Sequence, residues 1–97
     1  MLQNKVVVIS GVGPALGTTL ARRCAEAGAD VVLAARTVER LEDVAGQVSA
    51  LGRKALAVGT DITDDAQVAN LVEVSLAEFG KVDVLINNAF RVPSMKP

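Results

Sequence analysis

The sequence contains no histidine, no tyrosine and no tryptophan, and its only two aromatic residues among 97 are phenylalanines. Without an imidazole or a phenol, these residues cannot supply the proton donors that many acid–base mechanisms use. The single cysteine, Cys24, excludes an intrachain disulfide and offers no cluster of metal ligands. We therefore predict no catalytic residue and no metal site within this sequence.

An excess of charge of one sign is also lacking, since 10 basic and 11 acidic residues give a net charge of −1. This balance gives no electrostatic reason to expect a nucleic acid or an anionic membrane as a partner. The apolar run near the N-terminus is too short to span a bilayer, and no charged segment followed by a long apolar stretch precedes it. We expect a cytoplasmic protein.

Hydrophobic residues make up 51% of the chain, and short apolar runs alternate with longer stretches of helical periodicity. Glycines follow each helical stretch, at Gly28, Gly52 and Gly80, where helices commonly end. Strands are predicted over about 5–10, 30–36, 54–58 and 82–86, and helices over about 16–27, 38–51 and 65–79. The order βαβαβαβ predicts an α/β fold of the Rossmann type, a doubly wound parallel sheet with right-handed crossovers.

The segment between the first strand and the first helix, residues 10–17, reads SGVGPALG. Glycines there let the backbone turn tightly and approach a pyrophosphate, which the free N–H groups and positive dipole end of the helix then face. The pattern is not a P-loop, because no lysine stands between the last glycine and Thr18. A tight turn without a ligand is the alternative. The residues predicted to contact a dinucleotide here are Gly11, Gly13, Pro14, Leu16 and Gly17.

Arg36 follows the second strand, where dinucleotide-binding folds often place an acidic residue that binds the ribose of NAD. The only nearby acid, Asp30, precedes the strand. A guanidinium at this position could bind the 2′-phosphate of NADP, and one such hydrogen bond contributes about 1.5–3 kcal/mol. The sequence therefore favours NADP(H), with NAD(H) still possible. A solvated arginine at the start of the second helix would leave the preference open.

With these features in place, the sequence resembles the short-chain dehydrogenase/reductase family over nearly all of its length. The first motif of that family is TGxxxGxG, and Ser10, Gly11, Ala15 and Gly17 occupy the corresponding places. Serine keeps the hydroxyl of the threonine, whereas Ala15 replaces the middle glycine and places a methyl group near the expected pyrophosphate path.

Two further signatures carry the resemblance. Asp61 and Ile62 resemble the acidic and apolar pair that holds the adenine edge in the family, although Asp61 could instead brace the following turn. The other signature, NNAG after the fourth strand, is matched by Asn87, Asn88 and Ala89, with a phenylalanine in place of the glycine. The resemblance implies coenzyme contacts at Asn88 and Ala89, while the amides could also tie adjacent strand ends without touching a ligand.

The resemblance implies an oxidoreductase that transfers hydride between NADP(H) and a carbonyl or alcohol carbon of a small molecule, usually as a homo-oligomer. Family members carry their Ser, Tyr and Lys after the NNAG strand, beyond this sequence. We therefore expect a Rossmann half-domain over 1–90, a tail over 91–97, and a truncated chain that is inactive alone and has an open edge at its fourth strand. A non-catalytic nucleotide-binding module and a pseudo-domain completed by a partner are the alternatives.

Overall fold

The structure is a computed structural model that describes residues 2–10, 16–36, 38–61 and 63–87. Strands and helices alternate along these residues in the predicted order. The elements are β1 (Val6–Ser10), α1 (Leu16–Glu26), β2 (Asp30–Ala35), α2 (Val38–Ala50), β3 (Ala55–Gly59), α3 (Asp65–Phe79) and β4 (Val84–Asn87).

The four strands form one parallel sheet in the order β3-β2-β1-β4. Ser10 is in register with Ala34 and Asn87, and Ala35 is in register with Gly59. The strands therefore end together at one side of the sheet, which we call the carboxyl edge, while the opposite side is the amino edge. The chain runs outward from β1 in both directions, so the topological switch point of the sheet lies between β1 and β4.

Alternate residues of the strands pack against helices on opposite faces of the sheet, as expected for strands buried on both sides. One face is covered by α1 and α2. Its buried core consists of Val7, Ile9, Ala21, Cys24, Ala25, Ala29, Val31, Leu33, Leu41, Val44 and Val48. The other face is covered by α3, with Val6, Val8, Val32, Ala34 and Leu71 buried in a smaller core. The predicted doubly wound α/β fold is confirmed.

The cover of the α3 face is incomplete within the described residues. Leu71 is 3% exposed, whereas Val72, Leu76 and Leu85 are 45%, 44% and 63% exposed. An apolar groove lined by Val8, Val68, Leu71, Val72, Val82 and Leu85 runs between α3 and the sheet. In the described sheet β4 pairs with β1 alone.

The turn between α1 and β2 requires glycine. Gly28 has φ of +102°, and its N–H donates to Ala25 O while Ala29 N–H donates to Cys24 O, which is the Schellman pattern. A Cβ on Gly28 would lie 2.9 Å from Gln3 Cγ and 3.0 Å from Gln3 Cα. The chain before β1 therefore packs directly against this turn. Positive φ values at Gly52 and Gly80 confirm the other two predicted helix ends.

The start of β4 differs from its prediction by two residues, and Asp83 explains why. Its N–H donates to Val6 O, while its carboxylate accepts a hydrogen bond of 2.8 Å from Val6 N. A side-chain oxygen thus takes the place of a backbone carbonyl as partner of β1.

The helices of the described residues are too short or too polar to span a membrane.

Candidate functional site

The segments predicted to bind a ligand leave the sheet at its carboxyl edge. The glycine-rich segment follows β1, Arg36 follows β2 directly, Asp61 stands two residues after β3, and Asn87 is the last residue of β4. The predicted contacts that lie outside the described residues are Gly11, Gly13, Pro14, Ile62, Asn88 and Ala89. Because parallel strands end together, one ligand can reach all four segments.

Leu16 and Gly17 begin α1 at this edge. The first N–H groups of a helix have no partner within the helix, and its dipole places a partial positive charge at the same end. The start of α1 therefore offers donors and a favourable potential for an anion beside the end of β1, where Ser10 is buried. Coenzyme contact at Leu16 and Gly17 stays a prediction.

Arg36 and Asp61 lie beside each other across the ends of β2 and β3. A hydrogen bond of 2.8 Å from Thr60 N to Ala35 O extends the pairing of these strands and brings the two segments together. Arg36 Nη2 lies 3.7 Å from Asp61 Oδ1, and the two side chains are 71% and 36% exposed. An exposed ion pair of this kind contributes at most about 1 kcal/mol. The guanidinium can therefore exchange this partner for a ligand anion at little cost.

Asp61 also braces the turn that follows it, as one of the two interpretations of the sequence expected. Its Oδ1 accepts hydrogen bonds from Thr63 N at 2.9 Å and from Thr63 Oγ1 at 2.6 Å. Aspartate commonly forms such turns by accepting from the backbone two residues later. These contacts fix the position of the carboxylate at the carboxyl edge.

The start of α3 completes this region. Asp64 is the N-cap residue, and its carboxylate accepts from Ala66 N at 3.0 Å and Gln67 N at 3.4 Å. Gln67 Oε1 in turn accepts from Asp61 N at 2.7 Å. The sequence analysis did not identify Gln67, although Asp64 and Gln67 have the spacing of a capping box, which would have revealed it.

These residues surround an open polar cavity, lined by Arg36, Gly59, Thr60, Asp61 and Gln67, that we call the Arg36–Asp61 cavity. A Cβ on Gly59 would lie 2.9 Å from Val38 Cγ2, so the first residue of α2 packs directly against the end of β3. The guanidinium suits an anion, and the carboxylate suits an amine donor. No group of three or more potential metal ligands occurs among the described residues.

The chain matches a known protein family and is similar in sequence to known oxidoreductases. The family model for short chain dehydrogenase matches residues 5–95. An uncharacterized oxidoreductase of Mycobacterium tuberculosis is 42% identical over 87 residues, which are 90% of this chain and 33% of that protein. The 2-dehydro-3-deoxy-D-gluconate 5-dehydrogenase of Dickeya dadantii is 46% identical over 88 residues, which are 91% of this chain and 34% of that enzyme.

Solved structures agree with the sequence relatives. A short-chain type dehydrogenase/reductase from Mycobacterium marinum superposes with a TM-score of 0.83 at 34% identity, covering 87% of this chain and 34% of that one. An NAD⁺-bound xylitol dehydrogenase superposes with a TM-score of 0.88 at 32% identity, covering 93% of this chain and 35% of that one. The chain thus spans about a third of the length of these relatives.

Proposed function

The chain belongs to the short-chain dehydrogenase family, and on that basis we propose that it is the NADP(H)-binding part of an oxidoreductase. Members of this family bind NAD or NADP. The observation that carries the choice of NADP(H) is the position of Arg36 beside Asp61 at the carboxyl edge. These two side chains present a cation and a carboxylate to the same cavity.

In this proposal the Arg36–Asp61 cavity holds the adenosine end of the coenzyme. The guanidinium of Arg36 binds the 2′-phosphate, and the carboxylate of Asp61 accepts a hydrogen bond from the exocyclic amine of adenine. The polar lining of the cavity fits a ring that carries a polar edge. Ile62 contributes its backbone amide to the same adenine edge.

The rest of the coenzyme follows the carboxyl edge toward the switch point between β1 and β4. Gly11 and Gly13, together with Leu16 and Gly17 at the start of α1, hold the diphosphate with backbone N–H groups. Pro14, which has no N–H group, borders the diphosphate without donating to it. Asn88 and Ala89, which follow β4, line the ribose on the nicotinamide side. The nicotinamide supplies or accepts a hydride, and the residues of this chain bind and orient it.

For the whole protein we propose hydride transfer between the nicotinamide and a carbonyl or alcohol carbon of a small molecule, in a cytoplasmic homo-oligomer. The sequence contains no tyrosine and no histidine. The proposal therefore assigns coenzyme binding to these 97 residues and predicts that they do not turn over substrate alone. A module that binds nucleotide without catalysis is the second candidate, and it is favoured because these 97 residues include neither tyrosine nor histidine.

A titration of the purified chain with NADPH and NADH tests the proposal. The nicotinamide fluorescence of both coenzymes can be read directly, because the protein has no tryptophan or tyrosine. We expect NADPH to bind more tightly, and the Arg36→Asp variant to weaken NADPH by about tenfold or more, which is the loss of one charge-assisted hydrogen bond. NADH should weaken far less.

The matched control is Arg22→Asp, the same reversal of charge at an exposed position of α1. It should change the affinities for the two coenzymes equally and only slightly. An equal loss of NADPH and NADH affinity in the Arg36→Asp variant would contradict the choice of NADP(H). A chain that binds neither coenzyme would contradict the proposed function as a whole.

A further inference from the structure

The side chain of Gln67 joins two segments at the edge of the Arg36–Asp61 cavity. Its Oε1 accepts from Asp61 N at 2.7 Å, and its Nε2 donates to Asp64 Oδ2 at 3.3 Å. One amide group therefore connects the backbone that follows β3 to the N-cap of α3. Gln67 also lines the cavity itself.

This connection differs from an ordinary capping box. The residue at the third helical position usually reaches back to the N–H group of the N-cap residue. Here Asp64 N–H donates to Asp61 O at 3.0 Å, so that donor is already used. Gln67 reaches three residues further back, to the N–H group of Asp61. Its acceptor therefore fixes a residue of the cavity, beyond what capping of the helix requires.

Asp61 is consequently held through both its side chain and its backbone. Thr63 donates two hydrogen bonds to its carboxylate, and Gln67 accepts from its backbone N–H. Without the Gln67 acceptor, the N–H group of Asp61 would lose its contact with α3, while Asp61 O would still accept from the N-cap residue Asp64. The carboxylate could then shift toward the guanidinium of Arg36, which lies 3.7 Å from it.

From this geometry we propose that Gln67 is a positioning residue for adenine recognition, which acts by holding the Asp61 carboxylate where it meets the exocyclic amine. The proposal rests on the proposed function, because it presupposes that Asp61 accepts from adenine. Gln67 makes adenine distinguishable from a base with an oxygen in place of that amine. Its removal lowers this discrimination more than it lowers binding of the diphosphate.

The test compares NADPH with the reduced nicotinamide hypoxanthine dinucleotide phosphate, in which a carbonyl oxygen replaces the amine. The wild-type chain should bind NADPH about tenfold or more tightly than the hypoxanthine form, the effect of one hydrogen bond to a charged group. The ratio of the two dissociation constants, hypoxanthine form over NADPH, should fall to about threefold or less in the Gln67→Met variant. Methionine matches glutamine in length and helix propensity and lacks the amide oxygen.

Rescue separates positioning from general damage to the fold. The Gln67→Glu variant keeps an oxygen acceptor for Asp61 N–H but turns a second carboxylate oxygen toward Asp64 Oδ2. It is therefore combined with Asp64→Asn, whose amide can donate to the new carboxylate, and this pair should restore most of the wild-type ratio. The matched control is Gln47→Met on α2, whose side chain donates to Asp43 at 3.4 Å on another helix. This control should leave the ratio unchanged. If Gln67→Met does not fold, Gln67→Ala provides the same comparison.

A double variant distinguishes action through Asp61 from direct contact with the base. In an Asp61→Ala background, Gln67→Met should change the ratio by less than about twofold, since coupled residues give non-additive effects. An equal loss in both backgrounds would overturn the positioning role and assign Gln67 a direct contact.

Three further results would each contradict a different claim. A Gln67→Met variant that folds and discriminates as well as the wild-type chain would contradict positioning by Gln67 and leave the proposed function intact. A wild-type chain that binds both dinucleotides equally would contradict adenine recognition by Asp61 itself. Failure to bind either would contradict the proposed function.

Discussion

Arg36 and Asp61, 25 positions apart in the sequence, face each other with 3.7 Å between Nη2 and Oδ1. The parallel register of β2 and β3 produces this relationship, because it ends both strands at the same edge. The carboxylate therefore partly neutralises the cation that we assign to the 2′-phosphate. The strength of coenzyme selection depends on both residues.

The Asp61→Asn variant should increase the preference for NADPH over NADH. Asparagine keeps one oxygen that can accept from Thr63, and the loss of the second acceptor affects the adenine of both coenzymes alike. The substitution also removes the charge that competes with a phosphate for Arg36. Loss of an exposed ion pair is worth about 0.2–1 kcal/mol, so the ratio of dissociation constants should rise up to about fivefold. Asp43→Asn on α2 is the control. A lower preference for NADPH over NADH in the Asp61→Asn variant than in the wild-type chain would contradict the assigned role of Arg36.

The Gly28→Ala variant should be strongly destabilised. A left-handed backbone costs a residue with a Cβ about 1–2 kcal/mol, and the clash with Gln3 adds about 1–3 kcal/mol of overpacking. Gly52→Ala is the matched control, because its φ is +85° and nothing lies within 4 Å of an added Cβ. Urea unfolding should show the larger loss for Gly28→Ala. Equal losses would exclude a contribution from the contact with Gln3.

The Gly46→Ala variant should be more stable than the wild-type chain. Gly46 lies within α2, and nothing lies within 4 Å of an added Cβ. Alanine there should increase the free energy of unfolding by about 0.5–1 kcal/mol, because it restricts the unfolded chain and favours the helix. A decrease measured by urea unfolding would show that α2 does not continue through this position.

Acid should weaken the junction between β4 and β1. The Val6 N–H group and then Lys81 lower the pKa of Asp83 below its ordinary value of 3.8. Because the folded pKa is the lower one, the stabilisation is complete above the unfolded value and is lost as the pH falls through the folded value. The free energy of unfolding should therefore fall below about pH 4.

The Asp83→Asn variant isolates this contribution, since its amide oxygen can still accept from Val6 N–H without titrating. It should lose less stability than the wild-type chain between pH 7 and pH 3 in urea unfolding measurements. Glu73→Gln, an exposed substitution on α3, controls for the loss of a carboxylate. The same acid sensitivity in Asp83→Asn and wild-type protein would contradict the role of Asp83.

Local signals in the sequence predicted most of the fold. The bounds of α3 match their prediction because Asp64 caps its start and Gly80 ends it with φ of +79°. Short continuous apolar runs likewise located the buried strands. The burial of Ser75 was not predicted. Its Oγ donates to Leu71 O at 2.7 Å, so the hydroxyl is satisfied although the residue is buried. A helical pattern of apolar residues cannot reveal a polar residue satisfied by its own helix.

The candidate site was predictable only in part. Arg36 and Asp61 could be placed at strand ends from the sequence, but their pairing depends on the order of the strands. Val72 and Leu76 share with Leu71 the helical periodicity of apolar residues in α3, yet both are more than 40% exposed. Their exposure follows from the incomplete cover of the α3 face, which no local pattern encodes.

An amide NMR titration of the ¹⁵N-labelled chain with NADPH tests the central claim most directly, since it reports where the coenzyme binds. We predict chemical-shift changes concentrated at the carboxyl edge, including Ser10, Gly17, Arg36, Asp61 and Asn87. The turns at the amino edge, around Gly28 and Gly52, should not respond. Changes centred on those turns, or no changes at saturating NADPH, would contradict the account.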